Sequence, residues 1–262
     1  MDGIINLHDK KVIEGHLRGN TGLHIYSIGD LDDFYFPYTV WYGLKAGNFI
    51  SAIALLYTAV NPPVLLALAP ENELYQLNKL LKLILHLLPS KFYSHLTPGT
   101  EEILLENYKL DFHGDYCKMV LKENRLVEDT LLQTYQLTFY DLPKIRQLFH
   151  ESYPDNSFDP RMLETGMYFG SDADGKLVSI AGVHVFSQKY KVAALGNITT
   201  HPECRGKGLG KLITSRVCKE LEPHVDVIGL NVHTQNTAAL KCYKDLGFEV
   251  IAPYREYMAE LK

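Results

Sequence analysis

The chain has 262 residues, 46% of them apolar and 22% charged, with a formal net charge of −5 at pH 7. That length suits two domains of ordinary size, each able to bury a core, and the composition excludes a disordered or collagen-like chain. The negative balance gives no global attraction to nucleic acid or anionic lipid, so neither a nucleic-acid nor a membrane partner is expected, and an anionic ligand has to be held by local geometry.

The start, Met1-Asp2-Gly3-Ile4-Ile5-Asn6, carries neither the basic region nor the apolar run of a secretory signal, which makes the cytoplasm the expected location. Residues 23–28, 39–46, 49–57 and 64–69 have the apolar, β-branched and aromatic make-up of strands. Residues 72–88 have the periodicity of a long helix; Asn78, Lys79, Lys82 and His86 interrupt its apolar run well short of a bilayer span. A strand over 91–96, a helix over 99–107 and a strand over 112–121 complete this half. The aromatic group Phe34, Tyr35, Phe36, Tyr38, Trp41 and Tyr42 reads as core before it reads as pocket lining.

The charged run Lys122-Glu123-Asn124-Arg125 marks a connector over 124–132, giving an expected first domain over 1–123 and a second over 133–262 that starts near Gln133. A strand is expected over 135–140 and a helix over 142–151. After the loop Tyr153-Pro154-Asp155-Asn156-Ser157, a short helix opens at Asp159-Pro160, where Asp caps and Pro fits the first turn. Residues 167–170 and 177–187 flank Asp172-Ala173-Asp174-Gly175 as a hairpin with an Asp-Gly turn. Asp172 and Asp174 begin like a calcium loop, but the further ligands and closing Glu are missing, so no metal site is expected.

A strand over 192–200 runs into a glycine-rich turn and then a helix with Leu209, Leu212, Ile213, Val217 and Leu221 on one face. Residues 225–232 form the next strand. Asn236 opens a helix with Ala239, Tyr243 and Leu246 inward, Gly247 stops it, and 248–257 returns as strand. The similar element order of the two halves, and an echo between residues 106–112 and 242–248, read as an old duplication. The expected fold is α+β: two mixed α/β domains in tandem, each a largely antiparallel central sheet flanked by helices. Nothing indicates a homo-oligomer.

Cys117, Cys204, Cys218 and Cys242 fall at irregular spacings with no CxxC pair, which argues against zinc or a disulfide framework. In Arg205-Gly206-Lys207-Gly208-Leu209-Gly210, a strand-to-helix turn gathers backbone N–H groups at the positive end of a helix dipole. The glycines permit close approach and unusual dihedrals, and Arg205 and Lys211 add positive charge. A pyrophosphate fits these features, although a tight turn that needs glycine for packing would look the same. Neither the dinucleotide GxGxxG spacing nor a Walker lysine-hydroxyl pair is present, which counts against a nucleotide phosphate site.

The segment 200–210 resembles the cofactor motif of the GNAT acetyltransferase superfamily, and residues 236–248 resemble the Asn, Ala, Tyr and Gly-Phe pattern that follows the cofactor helix in that family. The resemblance covers about 134–262; the first half resembles the same fold by element order and has no glycine loop around Ala69-Pro70-Glu71-Asn72. It implies acetyl-CoA as cosubstrate, held by the backbone of Ile198, Thr199 and Thr200 and by Arg205, Gly206, Lys207, Gly208, Leu209, Gly210 and Lys211. It also implies Tyr243 beside the cofactor sulfur, where its hydroxyl can protonate the departing thiolate. Asn236 reads equally as helix cap and as cofactor contact. A Glu that some members carry around 192–197 is absent, which leaves the general base open among His184, His201, Glu151, Asp155 and Asp159. The implied function is acetyl transfer to a primary amine of a small molecule or peptide; the alternative is a non-catalytic acyl-CoA-binding regulatory or scaffold module.

Overall fold

The computed structural model describes residues 3–47, 49–129 and 134–262; the first two residues, connector residues 130–132 and the expected domain start at Gln133 lie outside the described residues. In chain order the elements are β1 (Gly3–Asn6), α1 (Lys10–Leu17), α2 (Ile25–Gly29), β2 (Thr39–Ala46), β3 (Phe49–Tyr57), β4 (Val64–Ala67), α3 (Leu74–Ile84), β5 (Lys91–Leu96), α4 (Glu101–Leu104) and β6 (Tyr108–Leu121). There follow β7 (Tyr135–Gln136), α5 (Leu142–Ser152), β8 (Phe169–Ala173), β9 (Lys176–Ser187), β10 (Val192–Thr200), α6 (Leu209–Leu221), β11 (Val227–His233), α7 (Thr237–Asp245) and β12 (Phe248–Leu261). Among the described residues no helix is long and apolar enough to cross a membrane.

The chain forms two compact units: Met1–Lys118 with Val232–Gln235 and Val250–Lys262, and Met119–Asn231 with Asn236–Glu249. The sequence-based division at 1–123 and 133–262 differs from this over 119–123, 232–235 and 250–262. From Val250 on, β12 lies in the first unit, where Arg255↔Leu96 through Glu260↔Lys91 pair it with β5. Period-two patterning makes a strand but does not say which sheet it joins.

The first unit's sheet has the order β1-β2-β3-β4-β5-β12-β6. One face carries an apolar core in which Leu77, Leu80, Leu81 and Ile84 of α3 pack over Leu56, Leu65, Phe92 and Leu96. Tyr93, His95, Lys118, Tyr254 and Glu256 form a polar cluster instead. Glu256 accepts from the hydroxyls of Tyr254 and Tyr93, with His95 Nε2 at 3.3 Å. The Lys118 ammonium stands 4.9 Å from the Tyr26 ring and 5.1 Å from that of Tyr254, and burial lowers its pKa to about 7. The parallel pair β4–β5 is held to its end: beyond Ala67↔Leu96, Thr97 N donates to Ala67 O, and the Thr97 hydroxyl accepts from Ala69 N.

The second unit's sheet runs β11-β10-β9-β8-β7, antiparallel apart from β10–β11. Its hairpin turns at Asp174-Gly175, both at positive φ, as the Asp-Gly signal leads one to expect. Asp172 there accepts from the Tyr135 hydroxyl and Lys144 Nζ. At the end of α7, Gly247 has φ 99°, and a Cβ on it would overlap Glu123 O, so the Gly-Phe step also seats the segment after β6.

Four further expectations differ from the structure. Residues 23–28 are not a strand: Leu23, Ile25, Ile28 and Leu31 are buried at helical spacing, and α2 forms with Ile28 N on His24 O. Burial on every side overrides the β-branched composition. The helix over 99–107 shrinks to α4, because Glu106 and Asn107 tighten into i to i+3 bonds that deliver Tyr108 to its strand. The strand over 135–140 stops after two residues, where Thr138 and Asp141 make a capping box ahead of α5. The echo between 106–112 and 242–248 falls on different elements, with Tyr108 in β6 and Tyr243 in α7, so it is not what relates the two sheets. Neither β1 nor α1 is foreseen from the sequence.

Asp30, just past α2, is raised by burial from 3.8 to about 8. The folded state therefore keeps a proton that the unfolded chain releases above pH 4, and stability from this group falls as pH rises from about 4 to about 8. Asp30→Asn, which cannot ionise, should melt with wild type near pH 4 and about 5 °C or more above it at pH 8. Melting curves at both values check this; an equal offset at the two would refute it.

Candidate active site

The site is built where β10 leaves β11. These parallel strands pair over Val192↔Val227 to Leu195↔Leu230 and no further. Two irregularities against β9 coincide with this point. The register passes from Ala194↔Val185 to Leu195↔Val183, leaving His184 as an extra residue in β9. It then passes from Gly196↔Gly182 to Thr199↔Ile180, leaving an extra residue in β10, where Asn197 sits at φ 53°. Bulges of this kind bend a strand and re-aim its side chains.

Gly182 and Gly196 face one another across the pair, so their missing side chains lie on one face of the sheet. A Cβ on Gly182 would overlap the Tyr168 ring, and a Cβ on Gly196 would overlap the His184 ring. Tyr168 is fully buried and donates to Val183 O at 3.0 Å, while Asn197 Nδ2 donates to its hydroxyl at 2.9 Å. The left-handed turn at Asn197 is thereby fastened to the core.

Beyond the bulge, Thr199 Oγ1 meets Ser152 Oγ at 3.2 Å, tying β10 to the end of α5. His201 N donates to Val178 O at 2.8 Å. The alternation of an antiparallel pair then turns the N–H and C=O of Thr200 away from β9, toward the edge that β11 has left. Arg205 Nε donates to that Thr200 carbonyl at 3.0 Å, and its Nη2 reaches Ser152 O at 3.5 Å. The Arg205 guanidinium thus braces the strand end. His201 Nε2 lies 3.3 Å from Glu151, so these two candidate bases are engaged with each other.

Gly206 and Gly208 adopt φ 77° and 83°, and the space where their Cβ atoms would project is open. Gly208 is the N-cap of α6 and offers no side chain to its first N–H groups, which therefore face outward unpaired by a cap. Gly210 backs onto Thr200 Oγ1, 3.5 Å from where its Cβ would be. Lys207 is exposed and Lys211 half-buried. Open space, outward N–H groups and flanking cations form a cradle for an anion.

Tyr243 is buried on α7 with its ring centroid 6.0 Å from that of Phe248. Burial above all, then Cys242, Tyr153 and Cys218, pushes its phenol well above the ordinary range, so it stays protonated through neutral pH. Burial likewise raises the thiols of Cys218 and Cys242, which disfavours their thiolate forms. Asn236 is exposed and accepts from Ala239 N at 3.1 Å, the cap reading of that residue. Asp159 also caps, onto Arg161 N.

The structure brings Ile198, Thr199, Thr200 and Arg205 to Lys211 into one continuous strand end and helix start, with Tyr243 on the helix beside α6. Ser152, Tyr168, Asn197 and the glycine pair are not among the site residues expected from the sequence. A signal existed, since glycines inside two adjacent strand patterns mark bulges or close approach.

A model of the acetyltransferase (GNAT) family matches residues 129–248. A ribosomal protein bS18-alanine N-acetyltransferase of Escherichia coli is 30% identical over 122 residues, which are 45% of this chain and 80% of that enzyme. A mycothiol acetyltransferase of Tsukamurella paurometabola is 36% identical over 95 residues, 35% of this chain; the match spans 32% of that enzyme's length. A tandem GNAT protein from the clavulanic acid biosynthesis pathway superposes with a TM-score of 0.58 at 15% identity, covering 99% of this chain and 98% of that one. That likeness extends the fold to both units.

Gly182→Ala forces the buried Tyr168 ring to move. A loss of about 1–3 kcal/mol is expected from overpacking, read as a lower urea midpoint at unchanged slope; a midpoint equal to wild type would show that the glycine pair is not a packing requirement.

Proposed function

The chain belongs to the acetyltransferase (GNAT) family, and we propose that it is a cytoplasmic N-acetyltransferase moving an acetyl group directly from acetyl-CoA to a primary amine of a small molecule or peptide. The observation that carries this reading is the cradle at Gly206 to Lys211, open at the end of a strand whose partner has turned away. Acetyl-CoA supplies the activated acyl group. The residues of the cradle suit its pyrophosphate, since a helix start and two positive-φ glycines meet there, with Lys207 and Lys211 in the same short segment. The main chain of Ile198, Thr199 and Thr200 is assigned to the pantetheine arm and the thioester carbonyl, where an N–H donor stabilises developing negative charge.

Tyr243 is assigned the proton that the departing thiolate takes up. Its raised pKa supports this, because a phenol kept protonated is in the acid form when needed. Asn236 serves as a cap that fixes the start of the helix carrying Tyr243. The Escherichia coli relative is named for an alanine of a ribosomal protein, which supports a peptide amine as one acceptor class.

Calorimetric titration of acetyl-CoA into wild type and Gly208→Glu tests the cofactor assignment. Wild type should bind, and the variant, checked for folding by its melting curve, should lose at least about 30-fold in affinity through repulsion and obstruction. Thiol release is then followed with an alanine-initiated hexapeptide, glycinamide and glucosamine. Tyr243→Phe should bind acetyl-CoA like wild type yet turn over about 10- to 100-fold more slowly. Binding without thiol release from any amine would favour the non-catalytic module, and a folded wild type that does not bind would end the acetyltransferase reading.

A further inference from the structure

We propose that His184 is the general base that takes the proton from the acceptor ammonium. The inference rests on the acetyl-transfer reading above and supplies the residue that a sequence without a strand glutamate left unassigned.

An ammonium has no lone pair, so direct transfer waits on removal of one proton. A base for that step must stand where the acceptor meets the thioester, which is the mouth opened by the parting of β10 and β11. The last residue of β10 paired with β11 is Leu195, and Gly196 is the first beyond it. The His184 ring lies over Gly196, close enough that a Cβ there would overlap its Cδ2 and Nε2. Two sequence choices produce this placement: an extra residue in β9 at His184, and a glycine opposite to receive the ring. His184 is half-buried at this point of the sheet.

Glu151 and His201 pair with each other past Thr200, the Asp159 carboxylate caps Arg161 N, and the Tyr243 phenol is held in its acid form. The neighbour on the glycine pair is the Tyr168 phenol, which donates to Val183 O.

The protons balance as follows. His184 accepts one proton from the ammonium and later releases it to water. The amine nitrogen bonds to the carbonyl carbon, and the carbon–sulfur bond breaks with its electron pair on sulfur. The sulfur takes a proton from Tyr243, and the second nitrogen proton, lost as the amide forms, returns to Tyr243. Amine and thioester become amide, thiol and one released proton.

His184→Gln should bind acetyl-CoA with wild-type affinity by calorimetry, while kcat/KM for the best amine of the panel falls about 100-fold or more at pH 7. That gap should narrow at high pH, where the amine is already neutral. A readout apart from turnover is the imidazole Cε1–H resonance absent from the His184→Gln spectrum, which should shift when acetyl-CoA is added to wild type. His184→Asn substitutes if the glutamine variant does not fold. Wild-type kcat/KM in the variant, or a resonance unmoved by acetyl-CoA, overturns the assignment of His184 and leaves acetyl transfer standing. A wild type that neither binds acetyl-CoA nor releases thiol sinks both.

Discussion

The second unit depends on a parallel strand pair that stops after four residues. Val192 to Leu195 hold β10 to β11, and then an extra residue in β10 changes its direction while β11 continues. A backbone left without its neighbour has to find other partners for its N–H and C=O groups. Arg205 answers on the Thr200 carbonyl, and side-chain bonds from Thr199 to Ser152 and from Asn197 to Tyr168 fasten the strand to its surroundings. Each contact holds open a gap that sheet pairing would otherwise close. The gap ends at a helix start whose N–H groups face outward, so strand geometry and anion cradle are produced by the same few residues.

The first unit shows what the alternative looks like. Its corresponding parallel pair, β4 and β5, is tied through Thr97, which bonds to Ala67 by its N–H and to Ala69 by its hydroxyl. The turn after β4 carries Pro70 and Glu71 where glycines would be needed, and Glu71 and Glu73 stand at the approach to α3. Negative charge at that end opposes an anion. A closed strand pair and an acidic helix start therefore agree that this sheet lacks the cradle, whatever else its polar cluster around Glu256 and Lys118 does.

Much of this was legible in the sequence. The glycine loop, the helix after it, the Asp-Gly hairpin and the capping role of Asn236 depend on local chemistry, where side-chain type and backbone conformation are coupled within a few residues. What stayed hidden depends on partners far along the chain. The strand expected at 23–28 is helix α2 because burial surrounds it, and β12 joins the first unit because Arg255 to Glu260 find β5. The register slips at His184 and Asn197 were equally invisible, since alternation says which residues share a face but not where one strand holds one residue more than its neighbour. Gly182 and Gly196 were the available clue.

Glycine serves two physically different ends in the second unit. At Gly206 and Gly208 the backbone needs φ near +80°, while the space a side chain would fill is open. At Gly182 and Gly196 the strand backbone carries no such requirement, and the missing Cβ makes room for two rings. The first pair shapes what can enter from solvent, and the second sets which side chains line the way in. A left-handed residue such as Asn can stand in for the first kind at modest strain, because nothing collides with it. No residue can stand in for the second without displacing Tyr168 or His184. The strand glycines are therefore the more constrained pair, although the loop glycines are the ones that a sequence motif makes conspicuous.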